Sequence, residues 1–193
     1  MAKFTQERSL RTHAALLVAA REIVGSKGYQ GLRIEDVVQA AGVAKGTFFS
    51  HFKDKNSLMD TLIGAEIDVH LDQLEGLPPP ESVDRLVSCL IPLFRFMTHE
   101  KYVFDLILRY SGAGEQGAAG SIAQTFCRQE TVVANWLHGA PFRKDISVQL
   151  MSEGVQAFAI HAMALGICEL HDGEDDYARL TKYLTAWLTP ASD

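Results

Sequence analysis

The sequence predicts an all-α protein on three observations. Apolar residues recur at helical spacing along most of the chain, strand patterns are nearly absent, and Gly, Pro and cap residues fall between the periodic segments. No alternating apolar–polar run is bounded by an Asn-Gly or Asp-Gly turn. Of the 193 residues, 47% are hydrophobic and 22% charged, enough apolar matter for a real core. About nine helices are expected, without internal repeats.

In the first segment Leu10, Ala14, Leu17, Ala20, Ile23 and Val24 form the apolar stripe, and Gly25 and Gly28 stop it. A short helix near Ile34–Ala40 buries Ile34, Val37 and Val38. Ala41-Gly42-Val43 breaks it, and a second short helix runs from about Lys45 to Phe52. Asp54 is the expected N-cap of a longer helix, about Lys55–Leu74, ended by Gly76 and Pro78-Pro79-Pro80. Beyond it, Val83, Leu86, Val87, Leu90, Phe94 and Met97 stripe a helix of about Glu81–Thr98, which Pro92 should kink. Helices of about Lys101–Tyr110, Ser121–Leu137, Asp145–His171 and Asp175–Leu188 follow. The Gly/Ala-rich segment Gly112–Gly120 reads as a loop.

Charge divides the chain. Residues 1–60 hold nine Lys/Arg against six Asp/Glu, whereas the rest holds nine against eighteen, within a net charge of −6. A mildly basic head on an acidic body suits a protein that presents one end to DNA. Apolar stretches are interrupted short of a bilayer span, and the opening MAKFTQERSLRTH has no apolar leader. A cytoplasmic chain that avoids membranes is expected. Cys89, Cys127 and Cys168 form no CxxC pair and are expected to be reduced, buried small hydrophobes.

Catalytic signatures are missing: there is no GxSxG, P-loop, GxGxxG or HExxH. His161, Glu169 and His171 share one predicted helix, but the histidines stand ten residues apart, too far for one metal site. An enzyme, a cofactor and a metal centre are therefore not expected. The spacing from Arg33 to Phe52 is instead that of a helix-turn-helix, two short helices joined by a tight turn so that the second can enter a major groove. Gly42 fits a turn position that needs positive φ, with Val37, Val38 and Val43 as the small core.

The run Ala40-Ala41-Gly42-Val43-Ala44-Lys45-Gly46-Thr47-Phe48-Phe49-Ser50-His51-Phe52-Lys53-Asp54-Lys55, preceded by Ala19-Ala20, closely resembles the tetracycline-repressor-like (TetR) family of bacterial regulators. The resemblance covers roughly residues 10–63. It implies an N-terminal three-helix DNA-binding domain (1–54) and a larger helical ligand-binding and dimerisation domain (55–193). Ala44, Lys45, Gly46 and Thr47 would begin the recognition helix, with Lys45 and Thr47 reaching bases or phosphates and Gly46 allowing close approach. Phe49, His51 and Lys55 match positions that touch the DNA backbone. Three residues depart from the family pattern. Phe49 stands in place of tyrosine and lacks its hydroxyl, Ala44 replaces a serine, and Arg33 replaces a threonine cap while offering a phosphate contact of its own.

The resemblance further implies a homodimer on a palindromic double-stranded operator, with a four-helix interface from the last two helices. Gly154, Ala157, Ala162 and Gly166 would permit close approach, and Phe158, Leu165, Leu184 and Trp187 would supply buried area. A small-molecule effector is expected between the helices of the body. Its lining is expected from Phe94, Met97, Phe104, Leu108, Phe126, Trp136 and Phe158, with His161 among the polar anchors. Repressor is the family's usual sense; the ligand itself is not legible. A well-formed cavity would favour sensing, and a body filled with side chains would favour the alternative, a DNA-binding organiser or a regulator controlled by a protein partner.

Overall fold

The computed structural model describes residues 2–111, 114–115, 118–139, 142–168, 173 and 175–190, with the side chains of 2–5, 114, 115, 118 and 139 left out. Helix α1 (Ala2–Gly31) buries Leu16, Ala19, Ala20 and Ile23. That face lies to one side of the expected stripe: Leu10 is 64% exposed, because residues 6–11 extend beyond anything that packs on them. Gly25 stays helical. The break comes at Gly28, whose φ of 72° and ψ of 170° lie in a region open essentially to glycine alone.

Helix α2 (Ile34–Ala40) and α3 (Lys45–Phe49) follow, the latter ending before the expected Phe52. Gly42 adopts φ +66° between them. Val37 is fully buried, while Ile34, Val38 and Val43 are only partly so, since such short helices cover little surface. Phe48 and Phe52 are buried and complete this small core.

Helix α4 (Lys55–Glu75) starts as expected. The Asp54 carboxylate accepts from Ser57 N at 2.8 Å, and Ser57 Oγ accepts from Asp54 N at 3.1 Å, a reciprocal cap. The body continues with α5 (Val83–Thr98), α6 (Lys101–Tyr110), α7 (Ser121–Gly139), α8 (Val148–Ile167) and α9 (Asp176–Leu188). Ser82 and Ser147 cap α5 and α8 through their hydroxyls, which is why both helices begin later than expected. The expected end of α8 at His171, and Glu169 beside it, lie outside the described residues. Within the Gly112–Gly120 segment, Gly114–Glu115 and Ala118–Ala119 form a two-residue antiparallel ladder rather than a plain loop. Pro92 stands inside α5 without ending it.

In the body, α4 lies along α7, α7 along α8, α8 along α9, α9 against α5, and α5 against α4, so the helices close a ring around one apolar core. Helix α6 braces α4 and α5 and touches α1. The α4–α7 seam is the most extensive. There Gly64 is buried and lies directly beneath Ser121 and Ile122. One turn earlier, the Asp60 carboxylate accepts from Ser121 N (2.8 Å) and Ile122 N (3.0 Å) and so caps α7 from a neighbouring helix. Further along, Arg128 of α7 binds Asp68, Asp72 and Glu75 of α4 at 2.8, 2.5 and 2.9 Å.

Two features differ from the composition-based expectations. Only Cys89 is buried; Cys127 and Cys168 are exposed. Helix α8 is long and apolar enough, by length and composition, to cross a membrane, and one third of its most apolar stretch is buried inside the protomer.

Candidate nucleic-acid interface

The sequence-predicted DNA contacts lie on α3 and just after it, at the N-cap of α2 and at the start of α4, and α3 is braced by α2. Lys45, the first residue of α3, donates to Glu35 Oε1 of α2 at 2.6 Å, and this ion pair holds the Glu35 carboxyl below the usual carboxylate range. Lys27 of α1 pairs likewise with Asp36 at 2.7 Å. The two acids that open α2 are thus engaged by lysines from the flanking helices. Arg33, at the N-cap of α2, is exposed and makes no side-chain cap, as a residue without a short acceptor must. Ala44 likewise leaves the start of α3 without a side-chain cap.

Gly46 is exposed, and a Cβ added there would meet nothing within 4 Å. Packing within the protein therefore gives no reason for a glycine at this position. Thr47 is half-buried beside it. Phe49 is 48% exposed and meets Phe48 edge-on, with ring centroids 5.3 Å apart. An outward aromatic anchored by an inward one forms a small apolar ledge next to the exposed turn of α3.

His51 sits 5.7 Å from His13 of α1, and His13 stacks on Phe52 at 4.8 Å. Burial, and then the neighbouring His51, push the His13 pKa down. The folded head therefore prefers neutral His13. As pH falls through the ordinary histidine value of about 6.5, the unfolded chain takes up the proton first, so stability falls with pH until His13 itself titrates below that value. Thermal melts at pH 7.5 and 5.5 should show this loss, and H13Q should reduce it. An unchanged pH dependence in H13Q would show that His13 contributes nothing to it.

Lys55, expected as a phosphate clamp, is half-buried and has partners within the chain. Its ammonium donates to Gln30 O at 3.2 Å and lies 5.0 Å from the centroid of the Tyr102 ring, and burial lowers its pKa. Lys55 thus ties the end of α1 to α6. A second tie lies nearby: the Glu100 carboxylate, at the N-cap of α6, accepts from Tyr29 N (2.9 Å) and Gln30 N (3.1 Å). Sequence reasoning missed Glu100, because its partners stand some seventy residues earlier and no local pattern marks them.

None of the three cavities among the described residues is lined by more than one of the expected effector residues. Phe94 lines a cavity of about 300 Å³ between α5, α8 and α9, together with Arg95, Met163 and Tyr177. Met97, Phe104, Phe126 and Trp136 are buried and border none of the three cavities described. Leu108 is 44% exposed and faces away from the core. Phe158 and His161 instead meet Tyr183 of α9, at 5.6 and 6.0 Å between ring centroids.

The residues expected at the dimer face also divide. Ala162 and Leu184 are buried within the protomer, and the space left by Gly154 receives the indole of Trp187 from the same chain. That indole donates to Met151 O at 3.2 Å. Ala157 is exposed, and Phe158, Leu165 and Trp187 are partly so.

Comparison with known proteins places this geometry. Residues 16–62 match the model for bacterial regulatory proteins of the tetR family. The uncharacterized HTH-type transcriptional regulator YvdT of Bacillus subtilis is 34% identical over 98 residues, half of each chain. The chain spans about half the length of the curated relatives it matches. Over most of its length the fold resembles Thermus thermophilus FadR, described as a TetR-family transcriptional repressor in complex with lauroyl-CoA (TM-score 0.64, 18% identity, 91% of this chain and 92% of that one). It also resembles SmeT, the repressor of the Stenotrophomonas maltophilia multidrug efflux pump SmeDEF (TM-score 0.59, 16% identity, 93% and 91%). These structural likenesses concern the fold. The helix-turn-helix at residues 34–49, the second to third of nine helices among the described residues, lies within the stretch that matches the tetR family model, so the likeness to bacterial regulatory proteins of that family rests on the N-terminal part of the chain.

Proposed function

We propose that this protein is a transcriptional repressor that binds a palindromic operator as a homodimer and is released by a small-molecule effector. Residues 1–54 act as the DNA head and 55–193 as the ligand-binding and dimerisation body. The observation that carries this reading is the start of α3. Lys45, Gly46 and Thr47 stand on an open surface beside the Gly42 turn, and Gly46 has no neighbour in the protein that requires it. Close approach to a duplex supplies that reason. Arg33, Phe49 and His51 flank it as backbone contacts.

Dimerisation is supported by the outer face of α8 and α9. Ala157, Phe158 and Leu165 leave apolar surface uncovered on α8, of which two thirds of the most apolar stretch is not buried, and Trp187 of α9 is partly exposed beside Phe158. A second copy related by a two-fold axis covers such a face with itself. An effector is supported by the cavities between body helices and by the ligand-bound state of FadR.

Selection of bound fragments from random DNA tests the proposal. It should return an inverted repeat with half-sites about one helical turn apart, or a multiple of it, bound by protein that runs as a dimer. Recovery of random sequence at moderate salt would reject it.

A further inference from the structure

The largest described cavity lies at the joint between head and body, outside the space expected for an effector. It measures about 530 Å³ and is bounded by α1, α4 and the α5–α6 corner. That volume lies within the range of small-molecule sites. Val24, Leu62, Tyr29 and Phe96 line it; the Tyr29 and Phe96 rings meet edge-on, with centroids 6.2 Å apart and planes at 66°, and the Phe96 ring also meets His70 at 5.6 Å. Two carboxylates, Glu66 and Glu100, border the same space against one guanidinium, Arg21. Glu100 is already engaged by the Tyr29 and Gln30 amides. The Tyr29 phenol is pushed up to about 12, first by burial and then by these two acids, so it stays neutral there.

We propose that this crevice is a binding site for a small organic cation with an apolar body, and that its occupancy is coupled to the pose of the head. Aromatic faces set at an angle beside a carboxylate are the arrangement that recognises quaternary ammonium groups, because the ring quadrupoles and the anion attract the same charge. A cation here lies against α1 of the head on one side and α4 and α5 of the body on the other. It also lies next to Glu100, which holds the Gly28 break in place. A ligand in this position favours whichever head pose leaves the crevice open around it, and that differential contact is what moves an equilibrium. The location deepens the effector reading of the preceding section and rests on it for its consequence at DNA, but not for binding itself.

Isothermal titration of the free full-length protein with benzyltrimethylammonium chloride tests the site, with benzylphosphonate as the anionic counterpart. The expected result is saturable one-to-one binding of the cation alone, weakened on the order of ten-fold in E66Q and in F96L. I91W, which fills the separate α5–α8–α9 cavity, should leave it unchanged. The proposal is overturned if the cation does not bind, if benzylphosphonate binds equally, if E66Q and F96L both bind as the parent does, or if I91W alone abolishes binding. Because the titration needs no DNA, failure to bind an operator leaves its result standing. With an operator in hand, the cation should change operator affinity for the parent and not for E66Q; equal shifts in both would overturn the coupling.

Discussion

A Gly64→Ala variant melts several degrees below the parent, although glycine-to-alanine changes in a helix ordinarily stabilise. Alanine gains up to roughly 1 kcal/mol over glycine in an open helix, since glycine loses more backbone freedom on folding. At Gly64 the added methyl would stand 2.6 Å from Ser121 Cβ and 2.9 Å from the Ser121 carbonyl carbon. Neither is the far end of a flexible side chain, so α4 and α7 must move apart. Overpacking of this kind costs about 1–3 kcal/mol, and more for leucine at the same position. For a chain of this size each kcal/mol is worth roughly 2–4 °C in Tm. D60A attacks the same seam by another route. It removes the acceptor for two partly buried amides at the start of α7, with an expected cost of about 1–3 kcal/mol. Thermal melts of both variants check the prediction. A G64A protein as stable as the parent would show that the seam tolerates separation.

Operator binding should fall by on the order of ten-fold or more in K45A, with the melting temperature nearly unchanged. Lys45 is exposed and its one ion pair, to Glu35, lies at the surface, where such pairs contribute little to stability. In a complex the ammonium can exchange Glu35 for a phosphate or a base edge. A base contact is worth about 1–3 kcal/mol and a phosphate contact releases a counterion. The salt series separates the two: a phosphate role lowers the slope of log K against log salt by about one, uniformly across sequences. E35Q should move affinity the opposite way, because Lys45 is then unpaired before DNA arrives. Gly46→Ala should leave the fold as stable or slightly more so while weakening the operator complex. If all three variants bind as the parent does, α3 does not face the duplex.

Much of this architecture was legible because its signals are local. Asp54 caps α4, Gly42 turns with positive φ, and the bounds of α2 and α6 agree with what was read from caps and periodicity. The buried face of α1 was misread because Leu10, Leu16, Leu17 and Val18 put apolar groups on several sides of one helix, and only the packing partners choose among them. Lys55 stands in the motif, and the partners it has within the chain, Gln30 O and Tyr102, are brought to it by the fold, where no local pattern marks them. Gly154 shows the same limit. A small residue on an apolar helix marks a close approach without saying of what, and here the approaching group is the chain's own Trp187. The cavities were the least legible feature. Aromatic side chains that could line a space fill it equally well, and residue type does not distinguish a wall from a plug. The joint cavity depends on contacts across α1, α4 and α5 that no short window of sequence contains.

Methylation interference on the selected operator tests the central claim most directly, because guanine N7 lies in the major groove where α3 is proposed to sit. The account predicts that N7-methylation at guanines within each half-site blocks binding, in two clusters about one helical turn apart or a multiple of it, and that K45A or G46A shifts the pattern. Binding unaffected by methylation anywhere in the half-sites would contradict it.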